Sequence, residues 1–317
     1  MKKILANDGL SRSGIDKLQS EGFQVITDKV NQDDLIQYIN NHQIEVVLVR
    51  SATEVRKDII DSCPSLKIIG RGGVGMDNID VEYAREKGLK VINTPAASSE
   101  SVAELVFAHL YSGMRFLYDS NRNMPSKGYT DFAKLKKAYA GGIELRGKTI
   151  GIIGMGRIGL EVARIALGLR MKVIAADTCV GKTNIEVDFY NGQSIQVDIE
   201  TEPIENILKK ADIITLHIPS QKGFVIGQDQ FNIMKEGVVL INCARGGVID
   251  EEALIEALDS GKVRFAGLDV FENEPTPSTK ILSHSKISLS PHIGAATLEA
   301  QDRIGTELAT QIIQILS

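Results

Sequence analysis

Apolar residues along this chain fall into short runs at regular intervals, and the segments between them carry apolar positions at helical spacing. Runs at Lys3–Ala6, Gln24–Thr27, Val46–Val49, Lys67–Ile69 and Lys90–Ile92 read as buried strands. They alternate with helical patterns over 12–20, 32–41, 55–62 and 80–87, the signature of a parallel sheet covered by helices. A longer helical pattern follows over 101–120, opened by a capping box of Ser101 and Glu104. The polar, basic stretch 121–142 reads as a mobile connector with some helix in it. Strand patterns resume at 148–153, 172–176, 213–217, 238–242 and 265–268, with helices near 157–170, 204–210, 228–235 and 251–260. Between 185 and 199, alternating positions flank Asn191-Gly192, a strong hairpin signal. Ile304, Leu308, Ile312 and Ile315 predict a closing helix.

Glycine placement adds chemistry to this pattern. G-x-G-x-x-G occurs twice, at Gly154–Gly159 and at Gly70–Gly75, and context separates the copies. The copy at 154 follows the apolar run 148–153 and opens the helical stretch from Arg157. The next strand ends on Asp177, eighteen residues past Gly159. That is a complete β-α-β unit for a dinucleotide. Gly154 allows the turn off the strand, Gly156 lets backbone approach a pyrophosphate, and Gly159 lets the helix pack close. Unpaired N–H groups where the helix starts, at Arg157 and Ile158, face the diphosphate. Asp177 would accept from both ribose hydroxyls and repel a 2′-phosphate, favouring NAD, with Lys182 near enough to soften the preference. The copy at 70 lacks a prompt helix and ends its next strand on Asn93-Thr94, with no carboxylate. Its Gly72-Gly73-Val74-Gly75 run suits a nest of backbone N–H donors for a small anion such as a carboxylate.

Length and charge narrow the class. At 317 residues and 43% hydrophobic content the chain is expected to form two domains. The net charge of −5 is mixed along the chain, and no basic tract points to nucleic acid. No apolar run approaches the roughly 18 residues of a membrane span, and Met1–Leu5 reads as a strand rather than a signal peptide. Cys63, Cys179 and Cys243 are odd in number and far apart, which suits a reducing cytoplasm and gives no metal spacing.

Three further segments place polar groups just after apolar strands: Asn242-Cys243-Ala244-Arg245-Gly246-Gly247, Asp269-Val270-Phe271-Glu272-Asn273-Glu274-Pro275, and Ser290-Pro291-His292-Ile293-Gly294. Ligands bind at the carboxyl ends of strands in doubly wound sheets, so these groups could converge. Together with the dinucleotide unit, Gly70–Asp80, Asn93-Thr94-Pro95, Ser101–Glu104 and Leu216-His217-Ile218-Pro219, they resemble the D-isomer-specific 2-hydroxyacid dehydrogenases over nearly the whole chain. Within that family the likeness is greatest to members that act on 3-phosphoglycerate.

The resemblance implies an α/β fold of two doubly wound parallel-sheet domains, a Rossmann cofactor domain inserted into a flavodoxin-like substrate domain. The substrate domain would comprise 1–97 and 288–317, and the cofactor domain 98–287. It implies a homodimer formed through the cofactor domain, with a cleft between domains that opens and closes. His292 would be the general acid/base, hydrogen-bonded to Glu274, and Arg245 would bind the substrate carboxylate and reacting oxygen. Asp269 would hold the nicotinamide end of NAD and Pro219 its adenosine side, with His217, Ala244 and Gly294 completing the cofactor set. A phosphorylated hydroxyacid such as D-3-phosphoglycerate brings a second anion, for which Arg50 and Arg71 are placed, beside Gly73, Val74 and Gly75. Lys134, Lys136 and Lys137 could add charge from a partner subunit. Glyoxylate or hydroxypyruvate reduction is the alternative within the same chemistry. A dinucleotide-binding corepressor is the alternative of a different class.

Overall fold

The computed structural model describes residues 1–316, and the chain divides into two compact units, Met1–Ser101 with Ala295–Ser317, and Val102–Gly294. In the first unit, β1 (Lys3–Ala6), β2 (Gln24–Ile26), β3 (Val46–Val49), β4 (Ile68–Arg71) and β5 (Lys90–Asn93) alternate with α1 (Arg12–Ser20), α2 (Leu35–His42), α3 (Lys57–Ser62) and α4 (Val81–Glu86). The five strands form one parallel sheet in the order β2-β1-β3-β4-β5, the flavodoxin-like arrangement. Alternate strand residues serve opposite faces. Leu5, Val47, Val49 and Ile69 pack with Leu35, Ile39 and Ile59 on one side. Ile4, Ala6, Leu48 and Ile68 pack on the other with Ile304, Leu308 and Ile312 of the last helix, Leu298–Leu316. That helix lies tight against α1. A Cβ on Gly14 would stand 2.7 Å from the Gly305 carbonyl carbon, so two glycines set the approach.

α5 (Ser99–Met114) carries the chain across the boundary, followed by α6 (Leu117–Lys127) and α7 (Phe132–Ala138). The second sheet contains β6 (Thr149–Ile153), β7 (Lys172–Ala176), β10 (Ile213–Leu216), β11 (Val238–Asn242), β12 (Val263–Leu268) and β13 (Ile287–Leu289). Its helices are α8 (Arg157–Gly168), α9 (Ile204–Lys210), α10 (Gln228–Ile233), α11 (Glu251–Ser260) and α12 (Thr279–Ser283), which makes the last helix of the chain α13. All six strands are parallel, in the order β13-β12-β11-β10-β6-β7. β6 lies between β7 and β10, so the direction of winding reverses there. The crevice at the carboxyl ends of β6 and β10 is the switch point where such sheets bind ligands. The predicted hairpin is β8 (Lys182–Asp188) with β9 (Ser194–Glu200), packing Ile185, Val187 and Ile199 into the core that α8 covers.

One expectation about the middle of the chain is corrected. The helix expected over 101–120 starts two residues earlier and stops at Met114, because Phe116 takes a left-handed conformation (φ 55°) that breaks it from α6. Ser101 is therefore inside the first turn, and its hydroxyl bonds Thr297 Oγ1 at 2.8 Å instead of closing a capping box. The helix expected within 121–142 is present as the end of α6 and as α7, tied by Tyr139, whose hydroxyl donates to Asp119 and accepts from Asn123.

Candidate active site

The end of β6 is shaped by its glycines. Gly154 adopts φ 100°, closed to side chains, and a Cβ there would lie 2.4 Å from the His217 carbonyl oxygen. A Cβ on Gly159 would lie 2.0 Å from the Gly154 oxygen, so α8 packs against the turn only as glycine. At Gly156 a Cβ would meet nothing within 4 Å and would project into open space. Gly156 also caps α8 without any side-chain bond, which leaves the first N–H groups of the helix available to an anion.

A cavity of about 930 Å³ opens here, lined among others by Gly154, Gly156, Asp177, His217 and Pro219. Asp177 accepts at Oδ2 from Met155 N (2.7 Å) and at Oδ1 from Cys179 N (2.8 Å) and Val180 N (3.0 Å). Burial alone would raise its carboxyl, but these three donors outweigh it and hold the group below its ordinary value, as a fixed negative charge in the cavity wall. Lys182, expected to soften that charge, instead pairs with Asp198 at 2.9 Å on the hairpin. His217 bonds Thr215 Oγ1 through Nε2 (2.9 Å), while its Nδ1 is buried with no protein partner. Such an orphan needs a partner from a ligand or water. A glycine with open space before it, an uncapped helix start, a fixed carboxylate and an orphan nitrogen together fit a dinucleotide.

The polar segments after β11, β12 and β13 lie close together within the same unit. Asn242 ties the Arg245 turn from both sides: Oδ1 accepts from Ala244 N (3.0 Å) and Nδ2 donates to the Arg245 carbonyl (2.9 Å). Gly246 brings this turn against the next segment, since a Cβ would stand 1.8 Å from the Phe271 oxygen. Glu274 accepts from Phe271 N at Oε1 (3.0 Å) and meets His292 Nδ1 at Oε2 (2.7 Å). Burial raises the Glu274 carboxyl, but the His292 hydrogen bond and charge, Phe271 N and Arg245 bring it below its ordinary value. With Nδ1 engaged, Nε2 of His292 is the atom left to exchange a proton. Asp269, fully buried, has partners at both oxygens: Ser290 Oγ (2.6 Å) and Ile293 N (2.8 Å) at Oδ1, Gly294 N (2.8 Å) at Oδ2. These bonds organise the 292–294 turn around the carboxylate. The sequence assigns no role to Asn242, Ser290 or His109; a lone polar residue on the buried face of a helix, as His109 is on α5, is the signal that marks the last.

The remaining expected residues belong to the first unit. Arg50 follows β3, its N–H donating to Asp8 Oδ2 (2.6 Å) and its carbonyl accepting from Asn78 Nδ2 (2.7 Å). Asp8 is held below its ordinary value against the effect of burial by Lys29, Arg50 N and Thr53. The Arg50 guanidinium has no ion pair or hydrogen bond among the described residues. Gly73 (φ 145°) makes room for Arg71, whose Nη1 would lie 1.9 Å from a Cβ there. The expected nest is smaller than the glycine run suggests. Gly72 N donates to the Val49 oxygen (2.9 Å) and Gly73 N to the Arg71 oxygen (3.0 Å), leaving Val74 and Gly75 as its donors.

Residues 107–294 match the model of the D-isomer specific 2-hydroxyacid dehydrogenase NAD binding domain. The chain belongs to that family. A hydroxypyruvate reductase of Thermotoga maritima is 41% identical over 99% of this chain and 98% of its own length. A D-3-phosphoglycerate dehydrogenase of Methanocaldococcus jannaschii is also 41% identical, over all of this chain, which spans 58% of that protein. Among solved structures, apo D-mandelate dehydrogenase of Rhodotorula graminis superposes with a TM-score of 0.83 at 26% identity, covering 98% of this chain and 93% of that one. This 2-hydroxyacid dehydrogenase is an NAD-dependent oxidoreductase. Among the described residues, no His/Cys/Asp/Glu group could hold a metal ion, and no helix is long and apolar enough to cross a membrane.

Proposed function

We propose that the enzyme interconverts D-3-phosphoglycerate and 3-phosphohydroxypyruvate. The observation that carries this reading is Arg50: a guanidinium with no anion of its own, on a backbone locked by Asp8 and Asn78. A free, pre-positioned cation suits a second anionic group on the substrate, and a phosphate accepts two parallel bonds from arginine. Arg71, Val74 N and Gly75 N support binding of an anion in the same unit. Arg245 serves the C1 carboxylate and the reacting oxygen. In the oxidising direction His292 Nε2 takes the C2 hydroxyl proton, while Glu274 fixes the Nδ1–H tautomer and stabilises the resulting imidazolium. The 154–159 turn and Asp177 would hold NAD, which when bound would supply the acceptor for the C2 hydride. The protein orients the reactants and manages the proton.

Hydroxypyruvate reduction is the second reading, favoured by the 41% identity to a reductase over essentially the whole of both chains. NADH absorbance with phosphohydroxypyruvate, hydroxypyruvate and glyoxylate separates them. A kcat/KM for phosphohydroxypyruvate at or below that for hydroxypyruvate would refute the first reading. A homodimer through the cofactor-binding unit is supported by exposed Leu117, Met124 and Phe132 on α6 and α7, and light scattering tests it. Three unpaired cysteines support a reducing, cytoplasmic setting.

A further inference from the structure

A line of buried and half-buried polar groups runs from α5 to the turn that carries His292. His109 on α5 is 4% exposed, and Gly267 of β12 makes room for it, since a Cβ there would lie 2.7 Å from the His109 Cβ. Its Nδ1 meets Ser288 Oγ and its Nε2 meets Ser290 Oγ, each at 2.9 Å. Ser290 continues to Asp269, and Asp269 continues to the turn. Its carboxylate accepts from Ile293 N and Gly294 N, and its carbonyl accepts from His292 N at 2.8 Å.

The proton order along this line is determined by its far end. Backbone N–H groups only donate, so both carboxylate oxygens of Asp269 are acceptors and Ser290 must give Asp269 its one proton. Towards His109, Ser290 then has only lone pairs to offer, so Nε2 carries the hydrogen. Burial lowers the His109 imidazole despite the nearby Asp269 charge, which keeps it neutral with one N–H. Nδ1 is left to accept from the Ser288 hydroxyl. Every member of the line is satisfied in this one arrangement. The turn needs such support: His292 is held at φ 54°, a left-handed conformation that is unfavourable for a non-glycine residue and persists only where surroundings impose it.

We propose that His109 is a positioning residue for His292: as the Nε2–H tautomer it donates to Ser290 and so commits the Ser290 hydroxyl to Asp269, whose carboxylate and carbonyl hold the 292–294 turn in register with Glu274. The proposal rests on the reading of His292 as the proton-exchanging group. A packing role alone would be served by an apolar side chain of similar volume. The positioning role requires a donor at the Nε2 position.

The test uses the full chain with NADH and hydroxypyruvate. His109→Leu keeps the volume and removes both bonds. Its kcat is expected to fall about 10-fold, the scale of a small misplacement of a reacting group, with NADH affinity changed less than about 2-fold. His109→Gln, whose amide can donate to Ser290 and accept from Ser288, should recover most of the loss. Ser290→Ala should lose as much as His109→Leu, and the double variant no more than either. Wild-type kcat in a folded His109→Leu, or equal losses in the Leu and Gln variants, overturns the proposal. Nitrogen NMR of histidine-labelled wild type decides independently of any variant, since an Nδ1–H tautomer at His109 also overturns it. His292→Ala in the same panel tests the reading beneath. If that variant kept its turnover, the role of His292 would fall, while the tautomer measurement would still report on the His109 line.

Discussion

At His292 the imidazole is held from two directions, by Glu274 at Nδ1 and by the Asp269 carbonyl at its own N–H, so both its tautomer and its backbone are fixed. His292→Ala is therefore expected to lose about 10²–10⁴ in turnover, the usual worth of a general acid/base, while NADH still binds. Turnover with NADH and hydroxypyruvate checks the first part and fluorescence titration the second. Glu274→Gln should cost less, because an amide can still hold the ring. His217 offers a stability test. Burial pushes its imidazole from 6.5 down to about 3, so between those values the unfolded chain holds a proton that the folded protein refuses. The unfolded state binds more protons in that window, so stability is complete above about 6.5 and falls as pH drops, by up to about 1.4 kcal/mol per pH unit. Urea unfolding at pH 7 and 5.5 should show wild type losing about 1 kcal/mol more than His217→Asn. Equal losses would mean that the ring is protonated in the fold. Groups common to both proteins, His109 among them, cancel in the difference.

At the scale of elements, β6, its turn and α8 act as one piece, because Gly154 and Gly159 touch neighbouring backbone. Gly154→Ala faces both a forbidden φ and a carbonyl at 2.4 Å, so it should cost about 2 kcal/mol or more and weaken NADH binding together with the melting temperature. A variant with normal stability and affinity would show that the turn relaxes freely. Asp177→Ala should narrow the preference for NADH over NADPH, since Lys182 is occupied by Asp198 and does not offset the carboxylate. Equal use of NADPH by wild type would sink that assignment. These elements were legible because their causes are local: apolar period, glycine spacing, an acid at the end of the next strand. The break at Phe116 was not, since residues 101–120 keep a helical pattern through it and only the left-handed backbone reveals the stop. The His109 line was not legible either. Its members are spread over residues 109–294, and a serine's partner is a matter of tertiary packing that no spacing rule encodes.

For the whole molecule, the net charge of −5 sets a mild general repulsion of a phosphorylated acid, so affinity has to come from local cations. On the proposed reading Arg245 would meet the carboxylate that every 2-hydroxyacid carries. Arg50 would be the cation that an unphosphorylated substrate does not need. Asp8 is tied to Lys29, to Thr53 and to the backbone of Arg50, so it fixes where Arg50 starts without neutralising its guanidinium. Arg50→Ala should therefore reduce kcat/KM for phosphohydroxypyruvate by about 10- to 100-fold, as expected for a charge-assisted hydrogen bond of roughly 1.5–3 kcal/mol. The value for hydroxypyruvate should change much less. Steady-state assays on both substrates make the comparison, and the melting temperature separates a lost contact from a loosened loop. An equal loss on both substrates, with stability intact, would assign Arg50 to the shared carboxylate. Hydroxypyruvate reduction would then be the better account of this enzyme.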